Sequence, residues 1–337
     1  MSLNCVWFIL IFVLLAGYAV LDGFDLGAGV MILLTRGSDE SRFFINAIAP
    51  VWDGNEVWLL TGGGALFAAF PAVYATVFSG FYIALMLVLA ALIFRAVGME
   101  FRGKADNPRW RSFWDTAFGV SSLLLCVLFG VAFGNVLRGV PIGDDGYYAG
   151  TFFDLLNGFG LIVGVLALSV FTMHGAIYLA CKHAPSQARL TKYAQVSWVA
   201  TVVLFVAATV AANYMAPSLL APAVSSPIAW FFIVLLLGAI PTVPFCLRLR
   251  QFTLAFAASS IMIISMMALA AVGLFPRLLP ALGEPGRSLT IYNSSSSHLT
   301  LLTMFIIALI GMPLVIAYTA VIHHVFRGKV SLTPDSY

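Results

Sequence analysis

Apolar runs of about 20 residues recur along the chain, separated by short polar or Pro/Gly-containing breaks. A helix needs roughly 20 such residues to cross a bilayer core of about 30 Å, so the pattern predicts membrane-spanning helices. Nine spans are placed, at 5–34, 46–70, 75–101, 112–137, 153–180, 190–214, 227–247, 252–275 and 299–325. The first run has no basic leader and carries two carboxylates and several glycines. It is expected as a retained helix, not a cleaved signal. Two breaks, Asn213 to Pro227 and Pro276 to His298, are rich in Pro, Ala, Ser or Gly and are expected as flexible or capping loops. Gly23-Phe24-Asp25-Leu26 in the first span returns as Gly158-Phe159-Gly160-Leu161 in the fifth, which suits two related halves. The expected architecture is therefore all-α and polytopic, a single integral membrane domain over 1–337. It comprises a four-helix bundle over 1–138, a second over 153–275 and a peripheral ninth helix over 299–325.

Composition strengthens this reading: 61% of the 337 residues are hydrophobic and only 9% charged, more apolar surface than a soluble core absorbs. Charge orients the chain. Nine crossings put the termini on opposite sides. With the N-terminus outside, the cytoplasmic connections carry Arg36, Arg42, Arg102, Lys104, Arg109, Arg111, Lys182, Arg189, Lys192, Arg248, Arg250, Arg327 and Lys329. Only Arg138, Arg277 and Arg287 fall outside, and Arg95 lies near a helix end. The positive-inside rule selects a cytoplasmic C-terminus. The net charge of +3 is then an anchoring asymmetry, and no nucleic-acid partner is expected.

Four acidic residues lie inside apolar runs: Asp22 and Asp25 in the first, Asp53 and Glu56 in the second. A carboxylate at bilayer depth costs roughly 2.5–3.5 kcal/mol even on lenient scales, so such groups face a partner, water or a proton path. In each pair the i,i+3 spacing puts both groups on adjoining parts of one helix face. Asp22 and Asp25 fall in the cytoplasmic half of the first span. Asp53 is placed about seven residues into the second, roughly 10 Å deep. The third span brings Arg95, Glu100 and Arg102 to the same side, which predicts a polar cluster opening toward the cytoplasm. Burial favours the neutral carboxylic acid and a nearby guanidinium favours the ion, so Asp25 and Asp53 suit a proton relay. The competing reading is an Asp25–Arg95 ion pair locking helices together. For Asp22 and Glu56, hydrogen bonding to neighbouring helices or a partner chain is the favoured role.

Other chemistry is sparse. Cys5, Cys126, Cys181 and Cys246 are scattered singly with no metal or disulfide spacing. Of five histidines, His183, His298, His323 and His324 sit at helix ends or in loops, leaving His174 as the one internal candidate for a haem ligand. No metal site is expected, and a hydrogen-bonded core or polar-cavity histidine is the favoured role for His174.

Longer motifs carry a family resemblance. Gly17-Tyr18-Ala19-Val20-Leu21-Asp22-Gly23-Phe24-Asp25-Leu26-Gly27, Ala49-Pro50-Val51-Trp52-Asp53-Gly54-Asn55-Glu56-Val57-Trp58-Leu59, Gly62 to Pro71, Phe78 to Tyr82, Phe94-Arg95-Ala96-Val97-Gly98 and Val131 to Asn135 resemble subunit II of cytochrome bd-type quinol oxidases. The match is dense over 1–180, and the chain length resembles the shorter, cyanide-insensitive branch. The resemblance implies a subunit of a bacterial inner-membrane terminal oxidase that oxidises quinol and reduces dioxygen to water, building a proton gradient. It implies that haem b and haem d belong to a larger subunit I, that this chain ligates neither, and that the Asp53 position lines a cytoplasmic proton path. It also allows a structural quinone, a small single-helix accessory chain, and contacts with quinol and membrane lipid. The rival functions are a standalone proton- or ion-coupled transporter and a purely structural membrane subunit. A transporter would be expected to show matching broken helices in both halves, whereas the acidic cluster occupies only one.

Overall fold

The computed structural model of the chain describes residues 2–35 and 37–330, apart from the side chains at 223 and 224; Arg36 lies outside the described residues. Helix α1 (Leu3–Ile32) begins at Ser2, whose hydroxyl accepts from the Cys5 N–H, and runs on unbroken because its apolar residues need only lipid and neighbouring helices around them. The expected second span is divided. Amphipathic α2 (Ser38–Ile48) ends just before Pro50, and the helix restarts as α3 (Trp52–Ala69). Pro50 lacks an N–H and so cannot continue the hydrogen-bond ladder of α2, and the backbone leaves helical geometry at Val51. Phe70 leaves helical geometry ahead of Pro71, which opens the short α4 (Pro71–Gly80). Helix α5 (Tyr82–Arg102) completes the expected third span.

The remaining expected spans are α6 (Pro108–Arg138), α7 (Gly158–Lys182), α8 (Gln187–Met215), α10 (Pro227–Arg248), α11 (Phe252–Leu274) and α12 (His298–Val325). Among the described residues, eight helices are long and apolar enough to cross a membrane. Helix α3, with 18 residues and two carboxylates, is shorter and more polar, about 27 Å at 1.5 Å per residue. The two connections read as flexible or capping loops are folded. One holds α9 (Pro217–Ser225), whose Leu219 packs against Gly273 of α11. The other forms an antiparallel pair, β1 (Arg277–Leu279) with β2 (Leu289–Thr290), burying Leu278, Leu279 and Ile291.

Helices α1 and α7 form the centre. Helix α1 packs on α3, α6, α7 and α11, and α7 on α6, α8 and α11. Their backbones touch at Gly27 and Gly175: a Cβ on Gly27 would lie 1.8 Å from the Phe171 carbonyl oxygen. One apolar core, including Phe24, Met31, Leu125, Phe159, Met173 and Met262, runs through both expected bundles. The repeated tetrapeptide does not occupy equivalent places, since Gly158 opens α7 whereas Gly23 lies deep in α1. Peripheral α12 rests on α1 and α3 and buries only Leu301.

On the cytoplasmic side, buried Arg102 of α5 donates to Asp115 of α6 and to the carbonyl and hydroxyl of Ser38, while Glu40 of α2 accepts from Arg189 and Ser186. These contacts pin α2 across the helix ends and fix where α3 begins.

Candidate functional site

The site is built where α1, α3 and α5 meet. Arg95 is fully buried and forks onto Asp22: Nη2 donates to Oδ1 at 2.6 Å and Nη1 to Oδ2 at 3.0 Å. Nη1 also donates to Glu56 Oε1 at 2.9 Å. The bidentate geometry is the strong form of a charge-assisted pair. Arg95 therefore takes Asp22 and Glu56 as its partners, and the Asp25–Arg95 ion pair, the competing reading of the sequence, does not form. The reason is rotational. Three residues turn a helix by about 300°, so Asp22 and Asp25 diverge, one toward α5 and the other toward α3. Asp25, equally buried, accepts from Asn55 Nδ2 at 2.7 Å through Oδ2.

Asp53 is also placed differently. It lies in the first turn of α3 and is exposed, at the mouth of the helix and not seven residues in, because the chain breaks at Pro50. Glu56, one turn further on, keeps 23% of its side chain exposed while Asp22 and Arg95 keep none. It joins the buried cluster to the outside. Glu100, five residues beyond Arg95, is exposed and stands outside the buried cluster. Four buried polar atoms around the site have no partner: Tyr18 Oη, Asp25 Oδ1, Trp58 Nε1 and Arg95 Nε. Buried polar atoms left open in this way are where internal water binds.

Sequence reasoning did not single out Asn55, which is 1% exposed. Its signal was present: it is a neutral polar residue two positions after Asp53, inside an apolar run.

His174 does not fit a haem ligand. Its Nδ1 lies 2.7 Å from Ser259 Oγ and its Nε2 3.1 Å from the Val20 carbonyl oxygen, and its ring stacks on Phe256 at 4.5 Å. The Val20 oxygen only accepts, so Nε2 carries the hydrogen, and neither nitrogen is left for iron. His174 ties α1, α7 and α11 together. His174→Gln, which keeps a donor and an acceptor, is expected to leave the thermal stability of the purified protein nearly unchanged. His174→Leu should lower it by about 1–3 kcal/mol. Equal melting of all three proteins would show that the two contacts contribute nothing. Among the described residues no group of three or more His, Cys, Asp or Glu could hold a metal ion.

An all-α multi-pass chain with a carboxylate–guanidinium cluster buried between its first helices defines a membrane protein that holds charge at depth for a purpose. A family model described as cytochrome bd terminal oxidase subunit II matches residues 3–326, and the chain belongs to that family. It is 38% identical to cytochrome bd-I ubiquinol oxidase subunit 2 of Escherichia coli K12, over 98% of this chain and 95% of the relative. It is 34% identical to cytochrome bd ubiquinol oxidase subunit 2 of Bacillus subtilis, over 98% and 97%. The fold is similar to the structure of bd oxidase from Geobacillus thermodenitrificans, with a TM-score of 0.81 and 17% identity, covering 97% of this chain and 99% of that one. The chain is thus subunit II of a terminal oxidase, within an oxidoreductase complex of the bacterial inner membrane. Such a complex contains haem and a subunit I.

Proposed function

We propose that this subunit supports assembly of a subunit I that bears haem b and haem d, and that it supplies part of the proton path from the cytoplasm to the oxygen-reducing haem there. Reducing one dioxygen to two waters consumes four protons. If they enter from the cytoplasm while quinol releases its protons outside, a potential builds without a pump. The observation that carries this reading is the pairing pattern at the cluster. Asp22 is held as an ion by the Arg95 fork, whereas equally buried Asp25 has only a neutral amide for a partner and one oxygen open. The first arrangement suits a fixed charge that locks helices. The second suits a group that takes up and releases a proton.

The exposed side of α3 supports docking to subunit I. It presents Asp53, Val57, Leu60, Thr61 and Gly64. A carboxylate on that face suits a protein partner or water, because lipid does not solvate it. A structural quinone, a single-helix accessory chain, and contacts with quinol and lipid belong to the same reading, with no residues assigned to them.

The test is turnover in purified complex. Asp25→Asn is expected to assemble with normal reduced-minus-oxidised haem b and d bands yet to lose quinol oxidase activity by about tenfold to a hundredfold, below or near the low end of what a lost proton-transfer group costs. Asp53→Asn, at the exposed mouth where water can substitute, should also assemble and lower turnover, by less. Full turnover in assembled Asp25→Asn would leave the subunit with a structural role alone.

A further inference from the structure

The two oxygens of Asp25 are not equivalent. Oδ2 accepts from Asn55 Nδ2 at 2.7 Å, while Oδ1 is buried with no partner. A second contact fixes the orientation of the Asn55 amide. Its Nδ2 also lies 3.2 Å from the Leu21 carbonyl oxygen, which can only accept. Flipping the amide would set its oxygen against two acceptors at once. Nδ2 therefore donates to both, and Oδ2 is an acceptor whether or not the carboxyl carries a proton.

We propose that Asn55 is a positioning residue for proton transfer: by holding Oδ2 as an acceptor, it makes Oδ1 the oxygen on which Asp25 carries its proton. This rests on the relay reading of Asp25 and deepens it. In loading, an O–H bond forms at Oδ1 as one breaks on a hydronium or a protonated water chain reaching that side. In unloading, the same bond breaks as the proton passes to the next water. No electrons change hands. A proton on Oδ2 would point at the amide N–H and lose its hydrogen bond, in a place where burial of both residues removes bulk water as a substitute. The charged and titratable groups around Asp25 are Asp22 on its own helix, Glu56 on α3, Arg95 on α5 and Tyr178 on α7. None of them is hydrogen-bonded to it, so the Asn55 amide is the contact that tells its two oxygens apart.

The proposal also accounts for a neutral residue at 55. A carboxylate there would add a fourth acid and remove the one donor to Asp25 among the described residues. The experiment is infrared difference spectroscopy on the purified oxidase complex, in which the carbonyl stretch of protonated Asp25 is identified by its loss in Asp25→Asn. In Asn55→Ala, that band is expected to move to higher frequency as the carbonyl loses its donor. Turnover should fall about tenfold, equivalent to about 1.4 kcal/mol of barrier, with KM for quinol unchanged. A residue that merely clamps α1 to α3 would not move the band. Should Asn55→Ala fail to assemble, Asn55→Leu keeps the approximate shape, adds no acid and removes the donor, and the same shift is expected. An unmoved band or full turnover in an assembled Asn55 variant overturns the proposal, as does the absence of any Asp25 band where Asp25→Asn slows turnover. Full turnover in Asp25→Asn overturns the relay reading itself.

Discussion

Arg95→Ala is expected to cost about 3–5 kcal/mol and to leave little assembled oxidase in the membrane, because it strips the counter-charge from two carboxylates in a site from which water is largely excluded. Asp22 loses both arms of its fork and Glu56 loses its donor at 2.9 Å. Asp22 cannot turn to solvent, and Glu56 reaches it only in part, with 23% of its side chain exposed. Asp22 is fully buried, and Glu56 is held on α3 with most of its side chain covered. The effect should fall on assembly more than on kinetics, since Arg95 joins three helices and touches Asp25 through no hydrogen bond. Neutralising the stranded acids as well, with Asp22→Asn and Glu56→Gln beside Arg95→Ala, should recover part of the loss, because an uncharged gap costs less than a buried ion. Haem content of purified membranes and thermal unfolding of the complex measure both steps. Normal haem content in Arg95→Ala would show that the fork is dispensable for assembly.

Why Asp22 and not Asp25 holds Arg95 was not legible in the sequence. The i,i+3 spacing established that the two acids share part of a face, and the basic loops established their side of the membrane. Which acid meets α5 depends on how α1 is rotated, and that is set by the backbone contact between Gly27 and Gly175, 148 positions apart. Similarly, the apolar runs announced the long helices because lipid leaves few alternatives. The break at Pro50 was masked by the apolar residues on both sides of it. That single break moved Asp53 from helix interior to helix mouth. The loop from Pro276 to His298 looked flexible by composition, yet Leu278, Leu279 and Ile291 are apolar enough to bury it. The motifs around Asp22 and Asp53 were specific enough to indicate the family. Asn55 lay within one of them, overshadowed by its charged neighbours.

Gly27→Val should be at least as damaging as Arg95→Ala, although it touches no charge. A Cβ at this position would sit 1.8 Å from the Phe171 carbonyl oxygen and 2.9 Å from the Gly175 Cα. These are backbone atoms of a helix and cannot swing aside, so α1 and α7 must separate along their crossing. Overpacking a fitted core costs about 1–3 kcal/mol where side chains can adjust, and more is expected here. Gly23 provides the internal control. It is four residues earlier, in the small-xxx-small spacing that brings membrane helices together, but its added Cβ would meet the Phe171 ring at 2.8 Å. A ring can shift, so Gly23→Ala should be milder than Gly27→Ala. The damage at Gly27 should also reach the proton site. Displacing α1 would move Asp25 off Asn55 on α3 and Asp22 off Arg95 on α5, so haem content and turnover should fall together. Turnover per haem measured in Gly27→Ala tests this coupling: a complex with reduced yield but full turnover per haem would mean that the α1–α7 crossing serves assembly without positioning the acids.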